Sequence, residues 1–239
     1  PESRYRGDSL GMLDYAARNG LSTEETTNLL TSGRTYNYYT YAGQVDNYNQ
    51  DNYQLHFIHQ LSPQLNFNAA AHYTYGRGYY EEYRNSEDLA DYGLTPVVMG
   101  GDSIFNTDLI RRRWLDNHFI GLVYGLNYQY NSKLKFTLGG AANRYTGAHF
   151  GELIWAQFAS NSQIYDRYYD NDALKSEVSS YLKTNYQKNG LDLTLDLQYR
   201  GIAYQFLGVD QVSGVLTDVT QNVNYHFFNP KMSIAKNMG

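Results

Sequence analysis

The chain predicts an all-β fold, an antiparallel meander of about eight strands, on the strength of three observations. Leu191, Leu193, Leu195, Leu197 and Tyr199 alternate without a miss against Asp192, Thr194, Asp196, Gln198 and Arg200, a period of two that makes one apolar and one polar strand face. The same rhythm recurs along the chain. The connections between copies alternate between very short and very long, the asymmetry of a transmembrane β-barrel with tight periplasmic turns and long extracellular loops.

Taken in order, residues 1–42 read mainly as an extracellular loop with some helix. Leu10 to Arg18 has helical spacing, and Ser22 with Glu25 fits a capping box ahead of Leu29 and Leu30. Residues 43–239 read as barrel strands and loops, so that 1–239 forms a single barrel segment. In the first strand pair Tyr53, Leu55, Phe57 and Leu61 share a face with His59, Ser62-Pro63-Gln64 turns the chain, and Leu65, Phe67, Ala69, Ala71, Tyr73 and Tyr75 return. The second pair carries Ile120, Leu122, Tyr124, Leu126, Tyr128 and Tyr130, turns at Asn131-Ser132-Lys133, and returns on Leu134, Phe136 and Leu138. The third uses Val178, Leu182 and Tyr186, turns at Lys188-Asn189-Gly190, and returns on the leucine run; Asn-Gly suits a hairpin because both residues tolerate positive φ. A fourth turn is expected at Asn229-Pro230-Lys231. Gly76 to Ile110 and Tyr145 to Ala173 read as long connections, and Phe206 to Thr217 as a shorter one.

Composition excludes several classes. There are 26 Tyr and 10 Phe but no Cys and only 4 Pro. Tyr combines an apolar ring with a polar tip, which suits boundaries between grease and water. A mean hydropathy of -0.60 excludes a helical membrane protein, yet not a barrel, in which half of every strand is polar. The formal charge of -5 offers no basic footprint for nucleic acid. Absence of Cys excludes a disulfide framework and thiolate metal sites. Pro1-Glu2-Ser3-Arg4 has neither the basic nor the apolar region of a signal peptide, which was removed or belongs elsewhere in a longer protein.

Alternation alone also fits a soluble β-sandwich with its apolar face turned inward. Tyr128, Tyr130 and Tyr186 beside the turns, with Tyr73, Tyr75 and Tyr199 toward the long connections, favour aromatic girdles at two membrane interfaces. Motifs for chemistry are sparse. The six His are scattered; His56 and His72 could face each other across the first hairpin, as a hydrogen-bonded pair or a metal pair. Glu81-Glu82 and Glu87-Asp88 lack an apolar pocket that would split their pKa values for acid/base work. Arg111-Arg112-Arg113-Trp114 reads as a solvated strand start, a contact to anionic headgroups, or an anion-recognising rim. Arg6-Gly7-Asp8 is too short to carry weight, and Gly76-Arg77-Gly78 lacks the strand-to-helix setting of a nucleotide loop. No catalytic residue, metal site or cofactor is expected.

Val45-Asp46-Asn47-Tyr48-Asn49-Gln50-Asp51-Asn52-Tyr53-Gln54-Leu55-His56-Phe57 resembles a barrel segment of the TonB-dependent outer-membrane receptors, particularly those of Bacteroides-type bacteria. The resemblance continues from Gly139 to Tyr145, from His149 to Trp155, and at Tyr169-Asp170-Asn171-Asp172, Asp196-Leu197-Gln198-Tyr199-Arg200 and Phe227-Phe228-Asn229-Pro230-Lys231. It covers most of the chain after about Arg34. It implies a barrel of about 22 strands closed by a plug, in the outer membrane of a Gram-negative bacterium, importing iron-siderophores, haem, cobalamin or sugars with energy from TonB. No plug or TonB box is recognisable, and Met238-Gly239 is not the aromatic ending usual in the family. The expectation is therefore a middle barrel segment with plug and C-terminal strands absent, contacting outer-membrane lipid and a small-molecule nutrient, and TonB only through the plug. Candidate ligand-binding residues in the extracellular loops are Tyr79, Tyr80, Tyr83 and Arg84 in one, and His149, Phe150, Trp155, Tyr165 and Tyr168 in the other, since rings give contact area at low entropy cost and Arg adds charge recognition. The alternative is a secreted or surface-attached soluble β-sheet module for glycans.

Overall fold

The computed structural model describes residues 9–18, 20–32 and 41–236, and the chain divides into two compact units, residues 1–45 and 46–239. Arg6-Gly7-Asp8 and Met238-Gly239 lie outside the described residues. In the first unit, α1 (Ser9–Arg18) and α2 (Thr23–Ser32) form a small pair around buried Met12, Ala16 and Leu29. The capping box is present: Ser22 N–H donates to Glu25 Oε2 at 2.8 Å, and Glu25 N–H donates to Ser22 Oγ at 3.2 Å.

The second unit is an open antiparallel sheet. Its strands are β1 (Val45–Ser62), β2 (Leu65–Asp88), β5 (Asn106–Asn131), β6 (Leu134–Ala156), β7 (Arg167–Lys188), β8 (Leu191–Val212) and β10 (Gln221–Lys236), paired in that order. A small hairpin, β3 (Val97–Met99) with β4 (Asp102–Ile104), sits in the connection after β2, and β9 (Val215–Asp218) pairs with the end of β8. The three tight turns all fall at one end of the sheet, as the connection lengths predict. Each has its own chemistry. Ser62 Oγ accepts from Gln64 N–H at 3.2 Å, and Asn131 Oδ1 accepts from Lys133 and Leu134 N–H at 2.8 and 3.0 Å. Asn189 and Gly190 both adopt positive φ, 51° and 72°, as a two-residue hairpin with native strand twist requires.

The strands run much further than apolar alternation predicts. Most of 76–110 and 145–173, read from sequence as loop, is ladder: β2 reaches Asp88, β5 begins at Asn106, β6 ends at Ala156 and β7 starts at Arg167. The ladder needs only backbone pairing, so it persists after the side chains stop alternating in polarity. The long connections shrink to residues 89–105 and 157–166, and the shorter one to the Ser213-Gly214 turn with β9. The turn expected at Asn229-Pro230-Lys231 is absent. These residues lie inside β10, opposite Gln198, Leu197 and Asp196, and Pro230 is tolerated because β10 is an edge strand.

Register fixes the faces. Leu134, Tyr186 and Leu193 form one row across three strands, Phe136, Thr184 and Leu195 the next, and Leu138, Leu182 and Leu197 a third. This leucine face continues onto β5 and β2 through Tyr128 and Leu65, Leu126 and Phe67, and Leu122 and Ala71. The other face carries Asn66, Asn68, Asn127, Thr137, Lys183 and Asp196. The buried core lies at the end away from the tight turns, where Tyr92, Leu109, Leu153, Tyr168 and Tyr169 cluster with Leu94, Ala156 and Leu216.

Candidate ligand pocket on the polar face

Parity along β5 sorts the Arg111-Arg112-Arg113-Trp114 cluster, which sits within the strand and not at its start. Arg112 opposes Glu81 and Glu152, and Trp114 opposes Tyr79 and Phe150, all in rows of the leucine face. Arg111 opposes Glu82 and Leu153, and Arg113 opposes Tyr80 and Gly151, in rows of the polar face. Four consecutive residues therefore serve two surfaces.

On the polar face, Arg113 stands beside an open cavity of about 610 Å³ whose lining includes Asp46, Tyr48, Tyr80, Leu115, His149, Tyr169 and Asp210. Its Nε donates to Tyr169 Oη at 3.0 Å, its guanidinium lies 5.3 Å from the Tyr169 ring and 5.9 Å from the Tyr80 ring, and Asp210 stands 3.8 Å away. His149 hydrogen-bonds through Nδ1 to Asn171 Oδ1 at 3.2 Å. Gly78 makes room for β1 here, since a Cβ would collide with the backbone of Asn47 and Tyr48. The arrangement is a half-exposed cation held between two aromatic faces, with phenol and imidazole groups around an open volume. It can hold an anionic or oxygen-rich solute by charge-assisted hydrogen bonds and stacking.

Arg111 has a different role. It is buried with Glu82, to which Nε donates at 2.8 Å, and its Nη1 donates to Tyr92 Oη at 2.9 Å and Gln211 Oε1 at 2.8 Å. Gln211 Nε2 in turn donates to the Asp91 carbonyl at 2.9 Å. One guanidinium thus ties the connection after β2 and the β8–β9 hairpin to the sheet. Burial pushes the Tyr92 phenol above its ordinary pKa despite the opposing pull of Arg111, so it stays neutral and donates to Glu87 at 2.6 Å.

The candidate ligand residues scatter accordingly. Only Tyr80 and His149 reach this pocket through the polar face. Tyr79 packs with Trp114 at 4.5 Å and beneath the Arg112 guanidinium at 4.3 Å, on the leucine face. Phe150 is buried there under Arg167, 3.6 Å from its ring. Tyr83 donates to Asp108, and Arg84 pairs with Glu87 at 2.7 Å. Trp155, on β6, opposes Ile110 of β5, Tyr168 is buried against Tyr92 at 4.8 Å, and Tyr165 alone lies in a true connection, exposed, at φ 71°. His56 and His72 do not contact each other: His56 bonds Gln54 at 3.1 Å, and His72 reaches Asn143 at 3.2 Å. Sequence reading missed Tyr169, Asp210 and Tyr48. Extending the period of two backward from Ile120 would have separated Arg113 from Arg112.

No protein-family model and no curated sequence matches this chain. Among solved structures it is similar to the ferric-catecholate import receptor Fiu from E. coli K12. The open form aligns with TM-score 0.48 and 11% identity over 88% of this chain and 36% of that one. The closed form aligns with TM-score 0.49 and 10% identity over 89% and 33%. The chain therefore spans about a third of the length of either receptor chain.

Proposed function

We propose that this chain is a wall segment of an outer-membrane receptor barrel of the TonB-dependent kind its sequence resembles. The leucine face meets lipid, and the polar face lines the interior with the Arg113 pocket near the mouth. The dimensions of the apolar band carry this reading. On β2 the leucine face is apolar or aromatic from Leu65 to Tyr75, and beyond it come Arg77 and Glu81. Ten residue steps at about 3.4 Å, tilted by roughly 40°, make a band about 26 Å tall, close to that of outer-membrane barrels. Leu55, Phe57, Ile120, Phe228 and Met232 are more than half exposed across this band, as a lipid-facing surface needs and a water-facing one avoids. The strand ends beyond the band then stand outside the membrane, on the extracellular side, carrying the pocket.

Its ligand is a nutrient with anionic or catechol-type oxygens, of which an iron-siderophore is the class that Arg113 between two rings suits best. Energy would come from TonB through a plug. The test is ligand capture by cells displaying the full receptor: Arg113→Ala with Tyr80→Ala weakens capture of ferric catecholate complexes while surface display is unchanged. Undiminished capture moves the site elsewhere. A monodisperse, folded, detergent-free preparation would instead favour the soluble glycan module.

A further inference from the structure

We propose that the ligand of the Arg113 pocket carries an ammonium group beside its oxygen anions, and that Asp46 is the residue that selects it; this deepens the receptor reading above and rests on it. The described residues lining the cavity bring two carboxylates, Asp46 and Asp210, against one guanidinium, Arg113. Asp210 is already engaged. It stands 3.8 Å from Arg113, and its Oδ1 accepts from Gln211 N–H at 2.7 Å. Asp46 is exposed and, among the described residues, makes no ion pair and no hydrogen bond. The carboxylates nearby on β2 and β6 have donors: Glu81 has Arg112 at 2.7 Å, Glu82 has Arg111 at 2.6 Å, and Glu152 has Trp114 Nε1 at 2.8 Å.

Charge and solvation argue against a ligand of oxygen anions alone. The cavity, about 610 Å³, is on the order of 10 Å across, comparable to the roughly 8 Å over which physiological salt screens a charge. A solute held there feels Asp46 with little screening. A purely anionic one would strip water from an unpaired carboxylate and gain only repulsion in return, while an ammonium restores what the water gave. Tyr48 and Tyr80 line the same volume, and a tyrosine ring face attracts an alkyl ammonium. Placement sets the length of the ligand. Asp46 belongs to β1 and Arg113 to β5, with β2 between them, and two strand spacings make about 10 Å. The groups read are therefore an oxygen anion at Arg113 and an ammonium several bonds away, an amine-armed chelate and not a bare catecholate.

The test uses cells displaying the full receptor and two ferric chelates built on one tris-catecholate scaffold, one with a free aminoalkyl arm and one with that amine acetylated. The wild type should capture the free-amine chelate about tenfold more tightly, the worth of one charge-assisted contact. Asp46→Asn should bring that ratio to about one, and Asp46→Glu, which keeps the charge, should preserve the preference. Equal capture of the two chelates by the wild type overturns the proposal, as does a preference that survives Asp46→Asn. Arg113→Ala separates this from the reading beneath it. Reduced capture of both chelates by that variant, with no preference in the wild type, sinks only the role of Asp46. Capture of neither chelate by the wild type, or undiminished capture by Arg113→Ala, sinks the pocket reading and the proposal with it.

Discussion

Arg112 and Arg113 are neighbours in sequence but belong to opposite surfaces: Arg112 pairs with Glu81 at 2.7 Å on the leucine face, while Arg113 donates to Tyr169 at 3.0 Å on the polar face. Strand geometry forces this, since successive side chains point to opposite sides. Arg113→Ala should weaken ligand capture, whereas Arg112→Ala should leave it unchanged. Whole-cell binding with both variants displayed equally checks the contrast, and equal losses would refute the face assignment.

The same parity sets a stability contrast on β8. Tyr199→Arg, in the row of Ala69 near the middle of the apolar band, should cost roughly 2–4 kcal/mol. Asp196→Asn, on the polar face opposite Lys183 and Lys231, should cost little. Denaturant titration of the protein folded into vesicles measures both. Equal tolerance would contradict the lipid-facing reading.

Arg111 and Glu82 are a buried pair at 2.6 Å, with side chains 9% and 8% exposed. Arg111→Leu leaves a buried carboxylate unpaired and should destabilise the fold by roughly 3–5 kcal/mol. Adding Glu82→Leu removes that orphan and should recover much of the loss. A double variant no more stable than the single one would mean that the Tyr92 and Gln211 contacts, and not the ion pair, hold this end together.

At the turn between β7 and β8, Gly190 has φ 72°, a conformation that disfavours any Cβ. Gly190→Ala should cost about 1–2 kcal/mol. The same titration reads the loss, and an unaffected midpoint would show that the turn relaxes to another type.

In the helical pair, the bond from Ser22 N–H holds the Glu25 carboxyl below its ordinary pKa. The folded value is depressed, so the contribution is fully present above the unfolded value, about 4.3, and is lost as pH falls through the folded one. The Glu25 carboxyl resonance, followed by NMR, should titrate below that of a reference glutamate and return to it in Ser22→Pro, which lacks the N–H. An unshifted titration would remove the cap.

The sequence by itself determined the meander, the three tight turns and the two faces of the lower sheet. In those segments one face is mostly apolar, and the turns carry Ser, Asn and Asn-Gly, so periodicity and turn chemistry are both written in residue types. It also carried the Ser22–Glu25 cap, a local contact between residues three apart. The upper halves of the strands were not legible, because above the band both faces mix charged with aromatic residues and the alternation fades while backbone pairing continues. Pro230 read as a turn because its tolerance depends on β10 being an edge, a property of sheet order. Tertiary structure alone brought Tyr80, Arg113, Tyr169 and Asp210 together from four strands and placed Arg111 under Tyr92 and Gln211. Those contacts join residues far apart in the chain, through bulges and connections that leave no periodic trace.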